Sequence, residues 1–135
     1  MKSFVLAGMI LIVGCSSGSG QTVQADSCLT AGASYLVSYT ETSGNCGPVP
    51  SEVINVSSSG VIVSPVQVSC ASDTVSGCMV QESDCSYTDD GDTFTYSSDV
   101  SFASNGSSGS GVFSVSATGS AGTCAGSYNI TYTRQ

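Results

Sequence analysis

The amino-acid sequence predicts an all-β fold: a single antiparallel up-and-down meander of about seven or eight strands, closed as a small barrel and stapled by disulfides. Apolar residues alternate with Ser and Thr at a period of two, the pattern of half-buried strands. Short stretches rich in Gly, Ser and Asp separate these runs, as tight turns require. Beyond the N-terminal segment no stretch has apolar residues at helical spacing, and the abundant Ser, Thr and Val disfavour helices.

The first half of the domain contains three candidate strands. They are Tyr35–Thr40, the short run Val53–Val56, and Val61–Val68. Pro65 lies inside the third, and a proline cannot donate a ladder hydrogen bond. That strand is therefore expected at a sheet edge or with a β-bulge at Pro65.

The second half has the clearest strands. Cys78–Thr88 is either one bent strand or two short ones, and Asp89–Asp92 then forms a hairpin tip because Asp-Gly favours a two-residue turn. Inward positions are expected for the alternating apolar residues of three further strands: Phe94, Tyr96, Val100 and Phe102, then Phe113, Val115 and Ala117, then Tyr128, Ile130 and Tyr132.

A closed barrel is preferred to a β-sandwich, which is the alternative. Consecutive hairpins with tight turns need no long crossover, whereas a Greek-key sandwich needs at least one. Charged residues are scarce on the outward positions, so closure or disulfides must protect the strand edges from pairing with other chains.

The N-terminal segment indicates where in the cell the protein is located. An apolar run, Phe4–Val13, follows one Lys and is too short to span a bilayer, as in a secretory signal. Its ending, Ile-Val-Gly-Cys, resembles the lipobox of bacterial lipoproteins, which implies lipidation of Cys15; a plain cleaved signal and an uncleaved anchor are the alternatives. We expect a signal peptide at 1–14, the lipidated Cys and a flexible Ser/Gly tether at 15–26, and the β domain at 27–135. Ser16 after the Cys favours the outer membrane or cell surface.

Seven cysteines are present, and assigning Cys15 to lipid leaves an even set in an exported chain. This predicts three disulfides among Cys28, Cys46, Cys70, Cys78, Cys85 and Cys124. A metal site is disfavoured because the chain has no His and no C-x₂-C pair. The one local pairing that spacing suggests is Cys70 with Cys78.

The charge balance excludes several partners. After signal cleavage Arg134 is the one strong base against ten carboxylates, so nucleic acid and anionic membrane surfaces are not expected partners. Without His, and with no Lys after cleavage, an activated nucleophile has no base. A pair of carboxylates acting on a glycan is the enzymatic alternative, disfavoured because the chain has no Trp and little room for a cleft. No cofactor is expected.

Three weaker site hypotheses remain. Asp89, Asp90 and Asp92, with Asp84 nearby, form a candidate calcium site at the hairpin tip, although turn chemistry explains these residues better. The tyrosines would line a ligand pocket or, as the simpler interpretation has it, be ordinary core or barrel-end residues whose hydroxyls reach water. Ladders of Ser and Thr would form a flat hydroxyl surface for glycan or cell-wall binding, although β propensity combined with solubility explains them at least as well. The tyrosines are Tyr35, Tyr39, Tyr87, Tyr96, Tyr128 and Tyr132, and the ladders include Thr93-x-Thr95 and Thr131-x-Thr133.

Two segments resemble a known class of proteins. The loop Ser43–Pro48 and the closing strand Cys124–Arg134 look like those of small bacterial lipoproteins, some of which are similar to lipocalin-like barrels. The resemblance implies no activity and no site residue. We therefore expect a lipid-anchored envelope protein, a non-enzymatic structural or protein- or glycan-binding module. The alternative is a carrier of a small hydrophobic molecule, favoured less because bulky inward side chains fill a barrel of this size.

Overall fold

A computed structural model describes residues 28–58 and 68–135 of the chain. Cys15, the segments 1–14 and 15–26, and nearly all of the predicted strand Val61–Val68 with Pro65 lie outside the described residues. The described chain forms seven strands: β1 (Ser34–Gly44), β2 (Glu52–Asn55), β3 (Ser72–Ser76), β4 (Met79–Asp89), β5 (Asp92–Phe102), β6 (Ser108–Gly119) and β7 (Gly122–Arg134). Across these residues the chain forms no helix with the length and apolarity that crossing a membrane requires.

All seven strands belong to one antiparallel sheet in the order β2-β1-β7-β6-β5-β4-β3, curled into a half-barrel. From β3 to β7 each strand pairs with the next one in the chain, and β7 returns to β1. The first strand thus pairs with the last, as in an up-and-down barrel, and within the described residues the sheet is open between β2 and β3. The predicted all-β, single-sheet antiparallel fold is confirmed.

Strand alternation places one large core on the inner face. The inward rows of β5, β6 and β7 are those that the sequence predicts, and they belong to one continuous hydrophobic cluster. Two inward glycines of β6 make room for neighbouring groups, because a Cβ on Gly109 would meet the Phe102 ring and one on Gly111 would overlap the Asp99 carbonyl. The hairpin tip is also as predicted, with positive φ at Asp90 and Gly91.

Two strands contain β-bulges. The register of β4 against β5 shifts between Glu82 and Cys85, and that of β1 against β7 shifts between Glu41 and Ser43. The sequence left open whether Cys78–Thr88 is one bent strand or two short ones, and the structure shows one strand that bends at the first of these bulges. A bulge adds an unpaired residue and re-aims the side chains that follow it.

Three disulfides join Cys28 to Cys78, Cys46 to Cys124 and Cys70 to Cys85. The suggested local pairing of Cys70 with Cys78 is wrong. A strand separates these residues, because β3 runs from Ser72 to Ser76, and eight extended residues span about 26 Å. The sequence reading missed β3, whose single large apolar residue, Val75, gives no alternation.

Candidate functional site

The outer face of the sheet carries an ordered array of small hydroxyl side chains. Because β5, β6 and β7 pair without a register shift between them, outward residues line up in rungs across the three strands. Neighbouring strands are about 4.8 Å apart and successive rungs about 6.6 Å apart. From one end of the sheet the rungs are Thr93–Thr118–Thr123, Thr95–Ser116–Ala125, Ser97–Ser114–Ser127, Asp99–Val112–Asn129 and Ser101–Ser110–Thr131.

Both bulges lie at the level of the middle rung, Ser97–Ser114–Ser127. On one side Ser97 Oγ accepts a hydrogen bond of 3.0 Å from the backbone N–H of Asp84 within the β4 bulge. On the other side Thr42, the extra residue of the β1 bulge, donates from Oγ1 to the Ser127 carbonyl at 3.0 Å. The sheet is therefore bent on both flanks of the same rung.

A depression lies on either side of this middle rung. One has a volume of about 410 Å³ and the other of about 530 Å³. Ser97, Ser114 and Ser127 line both, so the two are continuous. We call this continuous depression the hydroxyl groove, and its floor consists of the middle rung and the rung on each side of it.

The chemistry of the hydroxyl groove is polar and without positive charge. Its lining contains no Lys or Arg, and its exposed charged residues are Asp84 and Asp99. Val112 is 58% exposed and stands between Asp99 and Asn129, giving the floor a large apolar contact point in addition to the small Ala125. Ser and Thr hydroxyls both donate and accept hydrogen bonds. The groove is thus suited to a ligand that presents many hydroxyl groups.

The inner face, by contrast, is filled by the tyrosines and their neighbours. Five of the six tyrosines are buried and Tyr39 is half-buried, so their predicted core positions are confirmed. Their hydroxyls were expected to reach water, but several bond to protein instead. Tyr35 Oη donates to the Gly106 carbonyl at 2.6 Å and accepts from the Thr30 N–H at 2.9 Å, and Tyr128 Oη donates to the Gly47 carbonyl at 2.8 Å.

Two carboxylates that the sequence reading did not assign to the interior also face inward. Glu82 is buried, and its Oε2 accepts a hydrogen bond of 2.9 Å from Ser98 Oγ. Glu52, at the start of β2, accepts one of 2.8 Å from Tyr39 Oη. Burial raises the pKa of Glu52 to about 7, although the Tyr39 hydrogen bond opposes the rise. Burial, with Glu82 and Glu52 nearby, also raises the pKa of Tyr132 well above its usual value.

The candidate metal ligands are not all brought together. Asp89, Asp90 and Asp92 share the hairpin tip, but Asp84 lies five residues earlier, in the β4 bulge. The calcium prediction thus depends on the three tip residues alone. In the described part of the chain, Cys70, Glu82 and Cys85 place ligand atoms within 4.8 Å of one another. Their two sulfurs are joined in a disulfide and are not thiolates.

The fold and the hydroxyl groove together define a class: a disulfide-stapled, all-β half-barrel with a filled interior and a polar groove on its outer face. No protein-family model, curated protein or solved structure matches the chain.

Proposed function

We propose that this protein is a non-enzymatic binding module of the bacterial cell envelope, anchored by lipid on Cys15, that holds a glycan in the hydroxyl groove. The observation that carries the proposal is the alignment of two hydroxyl-rich rungs, beside a third that contains Asp99 and Asn129, in one continuous depression. A polymer of sugars offers repeated hydroxyl groups, and small side chains on a sheet meet them with little loss of rotamer entropy.

Charge and packing support a glycan over the other partners considered. A nucleic acid or another polyanion would face Asp84 and Asp99 with no base in the groove to offset them. The carrier alternative needs an apolar cavity, whereas aromatic and aliphatic side chains pack together on the inner face. The hydrolase alternative needs a carboxyl group that a buried, apolar setting keeps protonated as the general acid, whereas Asp84 and Asp99, the carboxylates at the groove, are both exposed to water.

A groove-blocking substitution tests the proposal. Ser114 is the centre of the middle rung and is exposed, so Ser114→Tyr would fill the groove without entering the core. Thr118→Tyr is the matched control, because Thr118 is exposed on the same strand and face but does not line the groove. The assay is co-sedimentation of the oxidised protein with insoluble glycans: peptidoglycan sacculi, chitin, partly deacetylated chitin and cellulose.

We expect the unsubstituted protein and Thr118→Tyr to bind at least one of these glycans, and Ser114→Tyr to bind it more than about tenfold more weakly. Equal binding by the two variants, or no binding to any of the glycans, would contradict a glycan site in the groove.

The lipid anchor is tested separately. Cys15→Ser should release the protein from the membrane fraction, and continued sedimentation with membranes would contradict lipidation.

A further inference from the structure

The two flanks of the hydroxyl groove, on either side of β6, differ in charge. Asp84 and Asp99 both lie on the β4–β5 side. The opposite side, formed by β7 and β1, contributes Ser127 and Asn129 with Thr42 and no charged side chain. A ligand lying along the groove would therefore have one edge against carboxylates and the other against hydroxyl and amide groups.

The sheet holds the carboxylate of Asp99 and the backbone of Asp84. Asp99 Oδ2 accepts a hydrogen bond of 3.1 Å from Gln81 Nε2 on the neighbouring strand. Asp84 has a φ of 49° in the bulge, and its N–H is bound by Ser97 Oγ. Ser97 and Asp99 belong to successive rungs, so Asp84 and Asp99 stand at levels about 7 Å apart along the strands. The β4–β5 flank of the groove thus presents two negative charges at successive levels.

The single strong base of the mature chain does not offset these charges. Arg134 is at the end of β7, where Nη1 donates to Thr30 Oγ1 at 3.1 Å and to the Asn105 carbonyl at 3.4 Å. The residues lining the groove do not include it. A cationic group on the ligand would therefore gain the attraction of both carboxylates without a competing basic side chain.

We infer that the ligand is an amino-sugar polymer carrying free, protonated amino groups, with those amines along the Asp84–Asp99 side of the groove. The inference rests on the proposed glycan function and specifies its substrate class. Hydroxyl groups of the sugars would bond to the rungs, and the amines would pair with the carboxylates. Glycans bearing carboxylate or phosphate groups would be repelled.

The test compares two soluble probes of equal length: glucosamine oligomers, which carry free amines, and their N-acetylated counterparts, which do not. Binding to the oxidised protein is measured by calorimetry at a pH where the amines are protonated. The variants are Asp84→Asn and Asp99→Asn, singly and together. Asp90→Asn is the charge-matched control, since it removes one carboxylate at the hairpin tip, and Asn tolerates the positive φ of both Asp84 and Asp90.

We expect the amine-bearing oligomer to bind about five- to tenfold more tightly, because one charge pair near a protein surface is worth about 1 kcal/mol or more. Each groove variant should reduce this preference, the double variant should abolish it, and Asp90→Asn should leave it unchanged. The preference should also fall as salt is added.

Other outcomes distinguish a failure of the amino-sugar inference from a failure of the proposed glycan-binding function. Equal binding of both probes, weakened by Ser114→Tyr, would overturn the amino-sugar inference and leave the glycan function standing. Binding of neither probe or of the insoluble glycans would overturn both. A third outcome combines two results: polylysine binds tightly even to Ser114→Tyr, and the double Asp variant still prefers the amine-bearing oligomer. That outcome would show general charge attraction and overturn the inference.

Discussion

Glu52 should make the stability of this domain fall as the pH rises towards 8. Its pKa is raised from 4.5 to about 7 in the folded protein, chiefly because burial disfavours the charged carboxylate. A group whose folded pKa is raised contributes stability that is fully present below its unfolded pKa and is lost as the pH rises through its folded pKa. For Glu52 the loss therefore begins near pH 4.5 and is complete above about pH 7.

The size of the effect follows from the same two pKa values. Their difference of about 2.5 corresponds to about 3 kcal/mol at about 1.4 kcal/mol per pKa unit. The Glu52 side chain retains partial exposure to water, which screens its charge, so we expect about 1 to 2 kcal/mol. Glu52→Gln keeps an acceptor for the Tyr39 hydroxyl without the charge, and should escape this loss.

The assay is urea unfolding of the oxidised protein and of Glu52→Gln at about pH 5 and about pH 8, with Glu41→Gln as an exposed-carboxylate control on β1. The stability of Glu52→Gln relative to the parent should increase by about 1 to 2 kcal/mol between the two pH values. A relative stability that does not change with pH would refute the reasoning, because it would mean that ionising the half-buried Glu52 carboxylate does not lower the free energy of unfolding.

Three further predictions concern the core and the disulfides, each measured by urea unfolding. Tyr35→Phe should cost about 1 to 3 kcal/mol, since it removes the partner of the buried Gly106 carbonyl and the Thr30 N–H. The same change at Tyr132, whose buried hydroxyl has no hydrogen-bond partner among the described residues, should be neutral or stabilising. Gly111→Ala should cost more than about 3 kcal/mol because its Cβ overlaps the backbone of β5, whereas Ser110→Ala on the outer face should change little. Replacing Cys46 and Cys124 by Ala should cost about 4 kcal/mol, because their disulfide joins residues 78 positions apart.

Each of these predictions has an outcome that contradicts it. Equal losses at Tyr35 and Tyr132 would mean that ring packing, and not the hydroxyl bonds, sets the cost. A stable Gly111→Ala would mean that β5 and β6 separate easily at that pair. A loss below about 1 kcal/mol for the double Cys variant would mean that the other two cross-links already restrict the unfolded chain.

Local patterns predicted much of the fold. The alternation around Phe94–Phe102 and Tyr128–Tyr132 identified inward faces because each strand is long and regular enough to show its period. The Asp90-Gly91 turn was predictable because two successive positive φ values strongly favour these residues. Neither inference required knowledge of which strands are neighbours.

Features that depend on pairing were not predictable in the same way. The bulge at Ser83–Asp84 changes the phase of β4, so the inward position of Glu82 could be read only once its partner Ser98 was known. The disulfide pairs follow from the topology and not from spacing. The hydroxyl groove is intermediate: outward Ser and Thr were visible in the sequence, but their alignment into rungs depends on the shared register of β5, β6 and β7.

The Cys28–Cys78 disulfide gives the domain a particular response to mechanical load. Force applied through the N-terminal side of the chain reaches Cys28, and from there it divides. The peptide chain carries one part to β1, and the disulfide carries the other to the residue preceding β4. In the sheet order these two strands flank β7, β6 and β5, which form the floor of the hydroxyl groove. Under the proposed lipid anchoring and glycan binding, a pull between Cys15 and a ligand in the groove would thus be shared by both flanks, and would not peel the sheet from one edge.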